Sequence, residues 1–572
     1  MKRRRFIALS AALPLLGSGI APDYNLVKDQ DIEDKNFKEL IIKMIKQNDL
    51  LIPGVLKNHE ANEKSPDFGG VHDAFGLFNA GSTAGLISRL TLSFASKESD
   101  YYLSPVLTKA MTSAARYLLK IQHVDGTIDL LSTNFRSTPD TGFVVEPLCT
   151  AYTLLTRTES EGKTELLRML EMFLKKAGEA FIVGGVHTPN HRWVVCMALS
   201  RLNALFPDQR YISRIDEWLS EGIDIDPDGQ FFEHSTLIYT PLTNRCLITI
   251  GKLLNRPELF DPVRKNLEMT LYYVHPNGEV ATEASGRQDQ YQVGTMEGYH
   301  LSYRYLAILD KNPRFAGMAG HVEKTLPEKL TGYLAYYLED STYEKPLPEA
   351  VSLPDSYIKE FPYSHIVRIR RGNADASILA KNPAFFTLSK GKAVLASVRM
   401  ASAFFGRGQF IAPEIKRQGD VFILEWEFTW GYFQPYPQGE KPDYTAEFDI
   451  DRKRRKMSEV QKLFARIIAS ETNGVFELSF NVEGVDHVPL AIELGFRNGG
   501  KLEGVAESEN EKGSYLLDKG NGTYSFENDT IEFGPGDAPH SWTRIRGGLP
   551  RPDAMCVYIT GKTPFKKIIK FR

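Results

Sequence analysis

From about residue 35 to 340, apolar residues recur at three- and four-residue spacing. The pattern is clearest in Phe37–Ile45, Val106–Ile121, Leu166–Phe181, His191–Leu205, Ile212–Leu219, Leu237–Leu254 and Val263–Val274, and it is the signature of helices that bury one face. Pro189, Pro207, Pro227-Asp228-Gly229, Pro257 and Pro276-Asn277-Gly278 punctuate it. No repeat of fixed period is visible, but the spacing predicts five or six helical hairpins packed side by side. After the acidic, proline-bearing stretch Glu344–Pro354 the period changes. Ser364–Arg370, Ala393–Arg399, Val421–Trp426, Val475–Val482, Tyr524–Phe526, Thr530–Phe533 and Ala554–Ile559 are short alternating or apolar runs between turn residues. They predict an all-β sandwich. The expected organisation is multidomain α+β: a helical domain over residues 22–343, a linker over 344–354 and an antiparallel β-sandwich over 355–572.

At 572 residues the chain exceeds one ordinary core. Its 42% apolar and 25% charged residues are those of a soluble globular protein. A formal charge of -3 gives no footprint for nucleic acid, so positive charge that meets a polyanion must be local to a cleft. Lys2-Arg3-Arg4-Arg5, the apolar run Phe6–Leu16 and the small residues Gly17–Ala21 read as a signal peptide over residues 1–21. Arg3-Arg4 followed by Phe6-Ile7 also fits a twin-arginine signal. A periplasmic or secreted protein, not inserted in a membrane once the signal is removed, is the expectation. Cys149, Cys196, Cys246 and Cys556 lack metal-ligand spacing and read as buried free thiols. Neither a cofactor nor a catalytic metal is expected.

Two polar clusters interrupt the helical pattern. Thr188-Pro189-Asn190-His191-Arg192-Trp193 reads as a helix entry, where Asn190 serves either as an N-cap or as a ligand for an anion drawn to the helix N-terminus. Trp193 is either packed or free to stack on a sugar ring. Downstream, Asp228-Gly229 precedes Glu233, His234 and Tyr239; taken alone, Tyr239 reads as a core residue of an amphipathic helix. Together the clusters hold an amide, imidazoles, a carboxylate and a phenol. β-Elimination from a uronic acid needs these types. An amide or cation neutralises the carboxylate so that the C5 proton becomes acidic, and an imidazole or phenol moves the proton.

An Asn-His pair at a helix start, followed by Asp-Gly with Glu and a Tyr beyond, resembles the toroid polysaccharide lyases, both heparinase II/III-like and hyaluronate, chondroitin and xanthan lyases. The resemblance implies an incomplete (α/α) toroid followed by antiparallel β-sheets. It also implies an anionic polysaccharide as substrate, glucuronate being the expected uronate and an exposed rhamnose-glucuronate end one option. Asn190 would neutralise the carboxylate, with Tyr239 and His191 as acid and base. Trp193, Glu233, His234, Arg245, Arg287, Asn134, Arg136 and Arg399 would contact the glycan. The second tyrosine position of the hyaluronate-lyase branch is Thr243 here. The histidine-rich strand of heparinase-like enzymes is not found, and Ser397–Ser402 instead resembles the Ser-x-Arg-x-x-Ser strand of the hyaluronate and xanthan branch. The alternative is a glycoside hydrolase on a similar toroid, pairing Glu233 with Asp140 or Asp289.

Overall fold

The computed structural model describes residues 37–443, 445, 452–509 and 511–572; the expected signal peptide over 1–21 lies outside them. Helices fill the first part of the chain in alternating inner and outer positions. The inner ones are Ala80–Ala95, Thr138–Arg157, Pro189–Leu205, Tyr239–Leu253 and His300–Asp310. The outer ones are Pro105–Ile121, Thr164–Val183, Gln209–Leu219, Phe260–Thr270 and Pro313–Thr325. Each inner helix packs on the next inner helix and on its own outer partner. The ring does not close on itself: Phe37–Lys57 and Leu334–Glu339 lie against Ala80–Ala95 instead.

Position in the ring sets how much of each helix is buried. The outer helix Gln209–Leu219 buries only Tyr211 and Ile215, one turn apart, so its stripe is plain. The inner helix Pro189–Leu205 buries every residue from Arg192 to Leu202, as expected of a helix packed on all sides. Ala80–Ala95 and Thr138–Arg157 are also inner helices. Rich in small residues, they carry few large apolar side chains to mark the buried face, and apolar spacing does not reveal them.

Because inner and outer helices alternate direction, the N-termini of all five inner helices lie at one end of the ring. Asn79 caps the first, its side chain accepting from the Ser82 N–H at 2.8 Å. Ser137 caps the second through the Asp140 N–H at 3.2 Å. Thr188, with extended backbone, occupies the cap position of the third. The positive ends of five helix dipoles therefore converge there.

Apart from the small hairpin Ile128–Leu130/Asn134–Ser137 in the helical part, the strands begin at Ser356. A ten-stranded and an eight-stranded sheet form the β-sandwich, antiparallel except where Ser514–Leu516 runs parallel to Met555–Lys562. In the larger sheet Val367, Ile369, Ala376 and Ile378 face the sandwich core. Arg368 and Ser377, which alternate with them, point the other way yet are fully buried, because the toroid covers that face. The junction is a charged network. Arg368 donates to Glu283 at 3.2 Å and to Asp375 at 2.8 Å, and His275 is 2.8 Å from Asp375. Burial and Arg368 push the His275 imidazole down, but Glu283 and Asp375 outweigh them and raise it to about 9. Arg497 adds a two-pronged bond to Glu279 at 2.8 and 2.7 Å. All four cysteines are buried free thiols, and no helix of the described residues is long and apolar enough to cross a membrane.

Candidate active site

At the end of the toroid where the inner helices start, three segments meet: Thr188–His191, Glu233–Tyr239 and Ser285–Asp289. Asn190 is 1% exposed. It is the second residue of its helix rather than the cap, which is Thr188. The Thr188 hydroxyl donates to its Oδ1 at 2.8 Å, which orients the amide. Its Nδ2 is buried without a protein acceptor. The Asn190 backbone N–H bonds Glu233 Oε1 at 3.3 Å, and Glu233 Oε2 pairs with Arg287 at 3.0 Å.

Arg287 ties the cluster together, for its guanidinium also lies 5.3 Å from the centroid of the Tyr239 ring. Tyr239 is the first residue of its helix, and its N–H is held by Ser235 Oγ at 3.0 Å. Gln288 Nε2 donates to the Tyr239 phenol oxygen at 2.5 Å. His191 stands edge-on to His187, with ring centroids 4.6 Å apart, and to Phe143 at 6.1 Å. Burial, then His187, and also Arg287 hold its imidazole down at about 4 against the opposing pull of Asp140. It is therefore neutral at neutral pH and can accept a proton. Its Nδ1 is buried without a protein partner.

The Ser285–Asp289 loop is pinned at both ends. Asp289 accepts from the Leu237 N–H at 2.9 Å and Ser285 Oγ at 3.2 Å, and Glu283, two residues before the loop, is locked into the domain junction. His234 has left-handed backbone, φ 45°, and its carbonyl accepts from Gly286 N–H at 2.7 Å. His234 and His365 are close enough to interact electrostatically. Burial, then Lys381 and His234, lower the His365 imidazole. His365 comes from the turn between Ser356–Phe361 and Ile366–Arg371, which Asp228 anchors by accepting from the Ser364 N–H at 2.8 Å. The β-domain thus brings its histidine on a turn rather than on a strand.

The structure brings together Asn190, His191, Glu233, His234, Tyr239 and Arg287 from the expected set, and it displaces others. Trp193 is fully buried: its indole N–H donates to Asp224 at 3.0 Å and Arg192 stacks on its ring at 4.1 Å, so no sugar can stack on it. Arg245 lies six residues into its helix, about 9 Å along the axis, and pairs with Glu146 at 3.2 Å inside the ring. Asn134 stays close, donating to Asp140 at 2.8 Å. Arg136 instead binds Asp125 at 2.9 Å on an exposed hairpin. Arg399 is occupied on the β-sheet by Glu493 at 2.6 Å. Of the residues of the hydrolase alternative, Glu233 accepts from the Asn190 N–H and pairs with Arg287, Asp140 accepts from Asn134 and Ser137, and Asp289 accepts from the Leu237 N–H and Ser285.

His187, Gln288 and His365 are additional members. His187 and Gln288 sit within or beside segments already singled out, whereas His365 carries no local signal.

No protein-family model and no curated protein sequence matches the chain. Solved structures do. The Streptomyces coelicolor A3 chondroitin AC lyase in complex with chondroitin sulphate superposes with TM-score 0.55 at 12% identity, over 93% of this chain and 79% of that one. A mutant of the heparan sulfate lyase HepC from Pedobacter heparinus gives TM-score 0.50 at 10% identity over 92% and 82%. A Paenibacillus xanthan lyase gives 0.53 at 9% identity over 94% and 57%. The chain therefore shares the (α/α)-toroid and β-sandwich fold of these polysaccharide lyases.

Proposed function

We propose that this chain is a polysaccharide lyase that cleaves a uronate-containing glycan, with glucuronate as the expected sugar, by β-elimination. The observation that carries the reading is Asn190. Its amide is oriented by Thr188 and presents a buried, unpaired Nδ2 at a helix N-terminus, beside a neutral imidazole and a hydrogen-bonded phenol. An unsatisfied buried donor is costly unless a ligand completes it, and a uronate carboxylate is such a ligand.

In this reading the Asn190 amide and the helix dipole hold the carboxylate and stabilise the enolate-like intermediate. His191 removes the C5 proton. The electron pair left at C5 forms the C4=C5 double bond while the C4–O4 bond breaks. Tyr239 gives its phenolic proton to O4, with Gln288 and Arg287 placed to stabilise the phenolate left behind. Glu233 takes no proton; it holds Arg287 against the ring and fixes the Asn190 backbone. His234 and His365 flank the entrance, where they would meet the glycan. Export is part of the proposal, since the residue 1–21 leader would deliver the enzyme to a compartment where glycans are found.

The test is incubation of the purified protein with alginate, glycosaminoglycans, gellan, xanthan and rhamnose-glucuronate-capped gums. Ultraviolet absorbance of an unsaturated uronate from one of them supports the reading. Its absence from all of them, or a saturated product, overturns it.

A further inference from the structure

A second polar site lies on the same face of the larger sheet that the toroid covers at Arg368 and Ser377, and none of its lining residues belongs to the Tyr239 cluster. Arg399, Glu493 and Tyr558 stand side by side on three adjacent strands. Arg399 grips the Glu493 carboxylate at 2.6 and 3.0 Å, and the Tyr558 hydroxyl donates to it at 2.9 Å. This row floors a cavity of about 500 Å³ walled by Arg544 and Arg551 from the segment before strand Met555–Lys562. Beyond Thr543 and Arg544, which both cavities share, a second hollow of about 580 Å³ is lined by Glu511, Lys512 and Trp542.

The charge balance of this double cavity is positive: four cations (Arg399, Lys512, Arg544, Arg551) face two carboxylates. Both carboxylates are already occupied. Glu493 is bound as above, and Glu511 accepts from Thr543 at 2.7 Å and Arg544 at 2.5 Å. Arg399 and Arg544 are spent on these carboxylates, so the excess is two cations, Lys512 and Arg551, the latter also donating to Lys512 O at 3.0 Å and Ser514 Oγ at 2.9 Å, in a chain whose formal charge is -3. Trp542 is 44% exposed beside it, an aromatic face of the kind that packs against the C–H surface of a sugar ring. Guanidinium groups, for their part, match carboxylate and sulfate oxygens.

We infer that this double cavity is an accessory binding site for an acidic sugar residue, a uronate or a sugar sulfate ester, separate from the cleavage site. The inference goes beyond the lyase reading and stands whether or not elimination occurs.

The test uses the full chain carrying Tyr239→Phe, to suppress turnover, in affinity electrophoresis through gels containing alginate (carboxylate only), dextran sulfate (sulfate only) or neutral dextran. Retardation is expected in one or both acidic gels and not in dextran, the two acidic arms telling which anion is read. Adding Trp542→Ala and Arg544→Ala, two exposed positions whose replacement leaves the core intact, is expected to weaken that retardation at least about tenfold, since each removes direct ligand contact. In the otherwise native chain the same pair should leave turnover of a short oligosaccharide unchanged. Undiminished retardation in the variant, or equal retardation by neutral dextran, overturns the inference. Failure of the lyase reading shows separately, as absence of unsaturated product from the native chain.

Discussion

Gln288 donates a 2.5 Å hydrogen bond to the phenol oxygen of Tyr239, across forty-nine residues of sequence. A donor aimed at that oxygen fixes the phenol's orientation and leaves the phenol's own O–H free to point at a leaving sugar oxygen. Tyr239→Phe should therefore lower kcat by about 10²–10⁴-fold, the range for a general acid. Gln288→Ala should cost roughly tenfold, the value of one hydrogen bond. Steady-state assays of unsaturated product, with melting curves as a folding control, check both.

Asn190→Ala removes the donor aimed at the carboxylate and should reduce kcat by about 10²–10³-fold, as loss of one donor to a developing oxyanion does. Asn190→Asp should be at least as damaging, because it places a like charge against the uronate. Comparable rates in wild type and both variants would remove Asn190 from the site.

The acid limb of the pH profile should report His191. Burial, His187 and Arg287 hold its imidazole at about 4, so the base is neutral above that value and is lost as pH falls through it. A rate profile for kcat/KM is expected to stay flat through the ordinary histidine range and to fall only near pH 4. His191→Ala should remove most of the activity at all pH values. A limb centred at the ordinary histidine value would contradict the geometry around His191.

His275 gives a separate dependence in stability. Its folded pKa is raised to about 9, above the ordinary unfolded value of about 6.5. The native state therefore holds a proton that the unfolded chain has released between these values. The stabilisation is complete below about 6.5 and is lost as pH rises through about 9, a total on the order of 3 kcal/mol. Denaturant melts of wild type and His275→Gln should differ most near neutral and acidic pH and converge at alkaline pH. A difference that grows with pH would reverse the sign of the argument.

The division into helical and strand-rich parts is legible because period changes with secondary structure, whereas the inner or outer place of a helix is not: the inner Pro189–Leu205 and Tyr239–Leu253 show helical spacing and the inner Thr138–Arg157 does not. At the site the readable residues are those within one local segment, such as Asn190-His191 or Glu233–Tyr239. Trp193 was misplaced because helical spacing does not tell which side of an inner helix faces the cleft, and here Asp224 and Arg192 enclose it. Arg245 was misplaced for want of its partner Glu146, which lies ninety-nine residues away in sequence. His365 was invisible because only the packing of Asp228 against Ser364 brings its turn to the toroid.

The central claim is that Asn190, His191 and Tyr239 break a sugar chain by elimination, in which no water is added. Cleavage of a uronate glycan in water labelled with heavy oxygen, read by mass spectrometry of the products, tests this most directly. The expected result is products free of label, one carrying a C4=C5 double bond, and no such products from Tyr239→Phe. Label incorporated at the new reducing end would show hydrolysis and contradict the account.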